Sequence, residues 1–440
     1  MVVGMINGAS TANAAMTGAV TIPLMKKHGL SARSAGAIEA VSSSGGQIMP
    51  PIMGAAAFIM ASLLSTSYTN ILLAGLIPAA LFYITVALSV HYIASDELER
   101  AAEDLNVTAE SMNIEPKARE ELFFEAIKHI IPFATLIWVL GILQYSITYS
   151  ALVTVAVTIA TGIIVPLVRQ VAVREFAFVD TIKKTFHQTV DGFYEGARLV
   201  APIVVIIAPI NGVVDLLGVT GFPGKLSLAL IDLAGGSLLL AVLLSMGICI
   251  LLGLGMPTVA AYILVALLVA PTLVTNFAIP EISAHFFVFY AAILSGLTPP
   301  IAVTVVVASG VADSNFWQTA ITAMKVGAIM FILPIVFIYN PDILIWETVT
   351  MGNLIASVFG LIGGVFIVHG LFATRLEVYK RIVELDYGRL MIPGMRGLYV
   401  ALGVACLAGI FSLFAALALF ALMAGERLVL DRRTRATPVP

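Results

Sequence analysis

Long apolar segments run through the chain, and short polar stretches separate them. They lie at 2–25, 34–62, 70–94, 129–147, 149–168, 199–219, 226–251, 256–277, 284–311, 320–340, 351–374 and 397–424. An α-helix of about 20 apolar residues crosses the hydrocarbon core of a bilayer. The pattern therefore predicts an all-α, polytopic membrane protein.

Glycine and then a double proline interrupt two of these segments. The sequence reads GGQIMPP at 45–51 and SGLTPP at 295–300. A helix that unwinds in lipid needs new partners for its freed N–H and C=O groups, so such breaks lie inside protein or line a wet cavity. A matched pair of breaks in two halves of a chain predicts a transport site.

The surroundings of the two breaks match as well. The landmarks Gly8, Pro23 and Pro50 recur as Gly255, Pro271 and Pro299, which lie 247, 248 and 249 residues later. Each unit has a turn of small residues, an apolar run that ends near a proline, a polar gap and a broken segment. This long period predicts two related halves rather than a solenoid of short repeats.

The small-residue turns at 7–13 and 253–258 are candidate ion sites. Ser and Thr hydroxyls beside exposed carbonyls form an uncharged, oxygen-rich surrounding that can hold Na+. The alternative is that small residues only allow close helix packing. The repeated spacing of turns and breaks favours the ion site. Ser42, Ser43, Ser44 and Thr298 are further candidate oxygen ligands or substrate contacts, and Gln47 either contacts a polar substrate or satisfies freed backbone groups.

Composition narrows the class of protein. Hydrophobic residues make up 60% of the chain and charged residues 11%, with a net charge of −3. A soluble globule has about 25% charged residues, and no basic surface is present for nucleic acid. Cys249 and Cys406 lie in apolar segments and are expected to be buried. The six histidines form no cluster with metal-ligand spacing, so no cofactor is expected.

Enzyme signatures are absent, so any pumping would use an ion gradient rather than ATP. Charged residues at membrane depth are functional candidates by default. Glu39, Asp215 and Asp313 lie closest to predicted breaks or helix ends. For Asp215 and Asp313 the alternative is a solvated residue at the end of a helix.

The chain resembles the large membrane subunit of tripartite ATP-independent periplasmic (TRAP) transporters. The similarity covers about residues 1–340 and rests on GGQIMPPIMGAAAF at 45–58, GLGMPTVAAY at 253–262 and LTPP at 297–300. These stretches are similar to the fused permeases that work with TAXI-type binding proteins. The resemblance implies an inverted-repeat, elevator-type secondary transporter with two re-entrant hairpins and two broken helices.

The resemblance also implies Na+-coupled uptake of an organic acid in the bacterial inner membrane. The acid would be delivered by an extracytoplasmic TAXI-type binding protein. The sodium ligands carried over are Gly8, Ser10, Asn13, Gly45, Gly46 and Pro50 in the first unit, and Gly255, Met256, Thr258, Gly296, Thr298 and Pro299 in the second. Many of them would act through backbone carbonyls. Substrate contacts are expected at Ser44, Gln47 and Thr298.

Four segments are expected from this organisation. They are a first transport repeat (1–94), a polar connector with scaffold and interfacial helices (95–225), a second transport repeat (226–340) and a C-terminal extension with two transmembrane helices (341–440). The first turn follows Met1 closely, so we expect an N-terminal truncation, with the missing helices or a small membrane subunit supplied by another polypeptide. Two rival functions stay open: an ion-coupled anion transporter or antiporter that needs no binding protein, and a truncated, non-transporting scaffold.

Overall fold

The structure is a computed structural model, and it describes part of the chain. The described residues are 9–104, 127, 130–143, 145, 147–173, 183–198, 201, 212, 216, 219–372, 388–410 and 412–436. All regular secondary structure within these ranges is helical. The predicted all-α class is therefore confirmed.

The described helices follow the two predicted halves and the segments around them. The first half contains α1 (Ser10–Lys27), α2 (Ala32–Gly45), α3 (Gly54–Leu63) and α4 (Tyr68–Asp104). The middle contains α5 (Ile130–Leu140), which passes into a π-helix (Trp138–Ile142), α6 (Ile147–Val173) and α7 (183–198). The second half contains α8 (Phe222–Ala234), α9 (Leu238–Gly253), α10 (Thr258–Leu268), α11 (Ala270–Phe277), α12 (Glu281–Ser295), α13 (Val303–Ala312), α14 (Phe316–Val326) and α15 (Ala328–Tyr339). The C-terminal helices are α16 (Met351–Phe372), α17 (Gly388–Leu407) and α18 (Ser412–Ala436).

Two compact units can be distinguished. The larger unit comprises Met1–Thr66, Asn70–Asn106 and Val213–Pro440, and therefore holds both halves of the repeat. The smaller comprises Ser67–Thr69 and Val107–Gly212. In the smaller unit α7 packs on α6, where the Thr185 hydroxyl donates to the carbonyl of Gly162 at 3.1 Å.

Both predicted breaks interrupt their helices. The first separates α2 from α3 and the second separates α12 from α13, and the Pro50–Pro51 and Pro299–Pro300 peptide bonds are both cis. A left-handed residue precedes each following helix, Met53 (φ 52°) before α3 and Ala302 (φ 40°) before α13. These residues, and the bounds of α3 and α13, correspond at a constant offset of 249. The two breaks are thus built the same way.

The hairpin of the second half is formed by α9 and α10. The chain turns through Leu254–Pro257, where Gly255 has a φ of 76°. Glycine adopts this left-handed backbone without a steric cost. The equivalent turn of the first half begins before α1, and Gly8 lies outside the described residues.

Helices of each half pack against helices of the other half. The broken-helix segment α3 of the first half packs against α10 of the second half. Reciprocally, α13 of the second half packs against α1 and α2 of the first. Each broken helix therefore continues into a segment that lies on the hairpin helix of the other half.

Several helices are long and apolar enough to cross a membrane. They are Tyr68–Glu97, Thr148–Val168, Thr258–Phe277 and Met351–Phe372, and the pair α14 and α15 forms a further candidate span bent by 46°. The helices next to the breaks are shorter, from 10 to 15 residues. Short apolar helices beside breaks are typical of discontinuous transporter helices.

Two apolar runs without a double proline turn at a left-handed glycine, each between two helices. The run 226–251 turns between α8 and α9, where Gly235 and Gly236 have φ values of 54° and 79°. The run 397–424 turns between α17 and α18, where Gly409 has a φ of 76°. Glycine in the left-handed region commonly ends a helix, which explains both turns.

The second break lies at the end of the most deeply buried helix. Every residue of α12 from Ile282 to Ser295 is buried. Its aromatic side chains pack edge-on against α15, with the rings of Tyr290 and Phe337 4.9 Å apart. Because a helix that is apolar all round belongs in a core, α12 holds the second break firmly inside the larger unit.

Candidate functional site

The start of α1 touches the second break. The Ser10 hydroxyl lies 2.8 Å from the hydroxyl of Thr304 at the start of α13, and both are buried. The backbone N–H of Thr304 donates to the carbonyl of Gly296 at 3.1 Å. A Cβ at Gly296 would stand 3.2 Å from the Thr304 hydroxyl oxygen and 3.9 Å from that of Ser10. Two predicted sodium ligands, Ser10 and Gly296, are thus brought together across the two halves.

The first break carries polar side chains that are buried and have no partner. Ser44 is fully buried and Gln47 is 2% exposed, yet the Ser44 hydroxyl and both amide atoms of Gln47 lack a hydrogen-bond partner among the described residues. The backbone is better satisfied, because the N–H groups of Gln47 and Ile48 donate to the carbonyls of Ser44 and Gly45 at 3.2 and 3.1 Å. The Gln47 side chain is therefore not engaged in satisfying freed backbone groups here.

Asn13 resembles these residues. It lies on α1, is 2% exposed, and its Nδ2 donates to the hydroxyl of Ser43 at 2.9 Å. Its Oδ1 has no partner among the described residues. A buried polar atom without a partner costs about 1–3 kcal/mol, so such atoms point to a bound ligand when several occur in one region.

The second break differs in its polar contacts. The Thr298 hydroxyl donates to the carbonyl of Leu294 at 2.7 Å, and the Ser295 hydroxyl donates to that of Ala292 at 2.7 Å. Each hydroxyl has thus used its hydrogen on a carbonyl of α12, and only oxygen lone pairs remain for a ligand. The neighbouring residue Pro299 lies at the cis bond of this break.

The second hairpin tip lies beside the same break. Gly253 at the end of α9 faces Ser295, and a Cβ at Gly255 would stand 3.6 Å from the side chain of Ile301. Of the predicted ligands in this turn, Gly255 is exposed, and Met256 and Thr258 are half-buried. The second break is therefore flanked by the start of α1 and by the second hairpin tip.

The remaining predicted ligands lie in the first break. Gly45 ends α2, and a Cβ there would fall well inside van der Waals contact with the Phe82 ring of α4 and 3.1 Å from the Tyr83 hydroxyl. Gly46 follows it, and Pro50 lies at the cis bond. Gly45 is therefore needed for the close approach of α2 and α4, whatever its carbonyl binds.

Sequence reasoning passed over Thr304. It lies in the apolar run Val303-Thr304-Val305-Val306. A single threonine in such a run is recognisable as polar, but the sequence does not indicate which residue it contacts. Among the charged candidates, Asp313 is an exposed, left-handed residue at the end of α13, as expected of a helix cap, and Asp215 lies outside the described residues. Glu39 is buried on α2.

These features define a class of protein. Apolar helices of spanning length, two helices broken at matched positions and a hairpin tip packed on one of the breaks are typical of integral membrane transporters. A family model described as "Tripartite ATP-independent periplasmic transporter, DctM component" matches residues 1–344, so the chain belongs to that family. No curated protein matches the chain.

The family fixes the broad role. The chain is a subunit of a TRAP-type secondary transporter, and the family is one of transporters rather than of enzymes. The large component of such a transporter works with a substrate-binding protein and a small membrane subunit. The predicted resemblance to the TRAP large membrane subunit is thus confirmed.

Proposed function

We propose that this protein carries an organic acid across the bacterial inner membrane, coupled to Na+, after delivery by an extracytoplasmic TAXI-type binding protein. The observation that carries the proposal is a set of buried polar atoms at the first break and on α1 that have no hydrogen-bond partner among the described residues: Asn13 Oδ1, the Ser44 hydroxyl and the Gln47 amide. Both hairpins and both broken helices would move together as the transport domain.

Sodium suits the chemistry of the two breaks and of α1. Na+ is a hard cation that binds uncharged oxygens, and the two breaks offer backbone carbonyls and hydroxyls, while α1 offers the amide oxygen of Asn13. Broken helices also present half-helix ends, whose carbonyl ends hold cations and whose N–H ends hold anionic substrate groups. A neutral, oxygen-rich site can therefore bind the coupling ion and the carboxylate side by side.

The substrate contacts are assigned to Ser44, Gln47 and Thr298. Gln47 offers both a donor and an acceptor, and Ser44 offers a hydroxyl, so this side can accept a carboxylate and a neighbouring hydroxyl or carbonyl group. Thr298 contributes lone pairs only, since its hydrogen is used by Leu294. We therefore assign Thr298 mainly to the ion and the first break mainly to the acid.

The ion is tested by Na+-dependent thermal stabilisation of the purified full chain, with K+ at equal ionic strength as reference. A ligand that binds only the folded state raises the apparent stability by RT ln(1 + [L]/Kd). Asn13→Ala is expected to raise the Na+ concentration needed for the same stabilisation about tenfold or more, because a buried acceptor is lost. Ser89→Ala is the matched control, since Ser89 is a buried serine that donates only to Thr85 of its own helix at 2.9 Å.

Uptake is tested in proteoliposomes that contain the protein and its small subunit, with and without the binding protein. Na+-driven uptake that requires the binding protein supports the proposal. Uptake without it would favour an ion-coupled transporter of another kind. A folded chain that shows no Na+ stabilisation would favour a non-transporting scaffold.

A further inference from the structure

Glu39 is a buried carboxylate without a counter-ion. It is 5% exposed at the interface of α1 and α2, and among the described residues no lysine, arginine or histidine nitrogen lies within 4.0 Å of its oxygens. Its carboxylate instead accepts a hydrogen bond from the Ser43 hydroxyl on α2 and lies at hydrogen-bonding distance from the hydroxyls of Thr17 and Thr21 on α1, which also lie 2.8 and 2.9 Å from the carbonyls of Asn13 and Thr17. Gly18 allows this close approach, because a Cβ there would stand 3.2 Å from Glu39 Cγ.

The second half builds the same helix packing without any of these groups. At the offset of 249 that relates α2 to α12, Glu39 corresponds to Val288 and Ser43 to Ala292. Thr17 and Thr21 correspond to leucines or valines within 264–269, in α10 and directly after it, at offsets of 247 and 248. The fold therefore does not need a carboxylate here, and burying one is costly unless it serves a purpose.

The hydrogen bonds of Ser43 have a fixed direction. A serine hydroxyl has one hydrogen, and Ser43 donates it to Glu39 Oε1 at 3.1 Å. Ser43 must then accept its second bond, which comes from Asn13 Nδ2 at 2.9 Å. The amide nitrogen of Asn13 consequently faces Ser43, and Oδ1 faces the other way, where it is buried and unpartnered.

We propose that Glu39 is a positioning residue for the sodium site, which holds the Asn13 amide with its oxygen toward the ion through Ser43. The inference rests on the proposed function, because it assigns Asn13 Oδ1 to Na+. If the hydrogen bonds from Asn13 to Ser43 and from Ser43 to Glu39 are lost, the Asn13 amide can rotate by about 180° and present its NH2 group to the ion for part of the time. Thr17 and Thr21 hold the carboxylate in place from the other side.

The test is a double-mutant cycle on Na+ affinity. The concentration dependence of Na+ stabilisation is measured for the full chain in wild type, Ser43→Ala, Asn13→Asp and the double variant, with K+ as reference. Ser43→Ala is expected to weaken Na+ affinity about tenfold, since the buried hydrogen bond that Asn13 Nδ2 donates to Ser43 is lost and the amide is no longer held in one orientation. An aspartate has no NH2 group that could turn toward the ion, so in the Asn13→Asp background the part of the Ser43→Ala effect that comes from amide orientation is absent and the loss of affinity should be smaller than in wild type.

A second variant protects the test against a folding defect at Ser43. Glu39→Gln keeps the size of the side chain, but its amide can donate to Ser43 and reverse the chain, so it is also expected to weaken Na+ binding about tenfold. Asn13→Asp should again reduce this sensitivity. Ser89→Ala should leave Na+ affinity unchanged, because the wild-type Ser89 hydroxyl donates to the Thr85 carbonyl of its own helix.

The outcomes separate this inference from the proposed function. Wild-type protein without Na+-specific stabilisation would overturn the proposed sodium coupling. Normal wild-type binding together with an unaltered affinity in Ser43→Ala and Glu39→Gln would overturn the positioning role alone. An equal loss from Ser43→Ala in the wild-type and Asn13→Asp backgrounds would also overturn it, because Ser43 would then act on packing rather than on the orientation of the amide.

Discussion

The contact between the second hairpin tip and the second break makes Gly253→Ala the most direct test of the structure. Gly253 ends α9 and Ser295 ends α12. A Cβ at Gly253 would stand 2.8 Å from Ser295 Cβ and 2.7 Å from its hydroxyl oxygen. Two carbon atoms prefer a separation of about 3.5–4.0 Å, so the helix ends must move apart by roughly 0.7 Å.

The expected cost follows from the surroundings. Gly253 and Ser295 are both buried, and the clashing Cβ atoms are attached to backbone, so neither can rotate away. Overpacking of this kind costs about 1–3 kcal/mol. We also expect weaker Na+ binding, because the same movement separates the hairpin tip from the break.

Stability is measured through the two buried cysteines. Cys249 on α9 and Cys406 on α17 are both fully buried, so a thiol-reactive fluorophore labels them only as the helices unfold. The double variant Gly253→Ala, Ser295→Gly lacks the opposing Cβ and should recover most of the lost stability. It should remain about 0.5–1 kcal/mol less stable than wild type, because glycine destabilises a helix. The Ser295 hydroxyl bonds only to Ala292 in the same helix, so its loss breaks no contact between elements.

Two results would refute this reasoning. Gly253→Ala with wild-type stability and Na+ affinity would mean that the tip does not lie against the break. Equal destabilisation of the single and double variants would mean that Gly253 is needed for its backbone rather than for the space beside Ser295.

Three further predictions concern contacts elsewhere in the larger unit. Ser10→Ala and Thr304→Val each break the 2.8 Å contact between the halves and should cost about 1 kcal/mol, with the double variant no less stable than either alone in thermal unfolding. Gly45→Ala drives a methyl group into the Phe82 ring and should lower the unfolding temperature, and Phe82→Leu should restore it in part. Gly403→Ala would place a methyl group 2.8 Å from a backbone oxygen of α16 and should destabilise the α16–α17 pair by about 1–3 kcal/mol, seen as earlier labelling of Cys406.

The breaks could be predicted because their causes are local. Proline removes a helical hydrogen bond, and glycine weakens the turn before it. The sequences at 45–51 and 295–300 therefore predict the end of a helix whatever surrounds them. The left-handed residues that restart the helices could not, since Met53 and Ala302 are types that rarely adopt a positive φ. Their conformation depends on tertiary contacts, which include the packing of α3 and α13 on the other half.

The partners across the halves could not be predicted either. Ser10 was recognised as a polar residue of the first tip, but its contact with Thr304 spans 294 residues and depends on how the halves exchange helices. The turn at Gly235 and Gly236 had a visible sequence signal, yet the apolar residues on both sides of it predicted one continuous span. Hydrophobicity reports that a segment lies in lipid or a core, but it does not report where the segment turns.

The two halves share a backbone but divide the chemistry between them. The first half buries the polar side chains of Asn13, Ser44 and Gln47, whereas at the second hairpin tip Met256 and Thr258 are half-buried and Gly255 is exposed. A repeat that only needed to pack would carry apolar residues in both halves, as Val288 and Ala292 do opposite Glu39 and Ser43. The pseudo-symmetric fold therefore supplies two similar breaks, and we expect the residues that differ between the halves to decide which half supplies side-chain ligands. Substitutions at Asn13 should consequently change Na+ affinity more than substitutions at its apolar counterparts in α10.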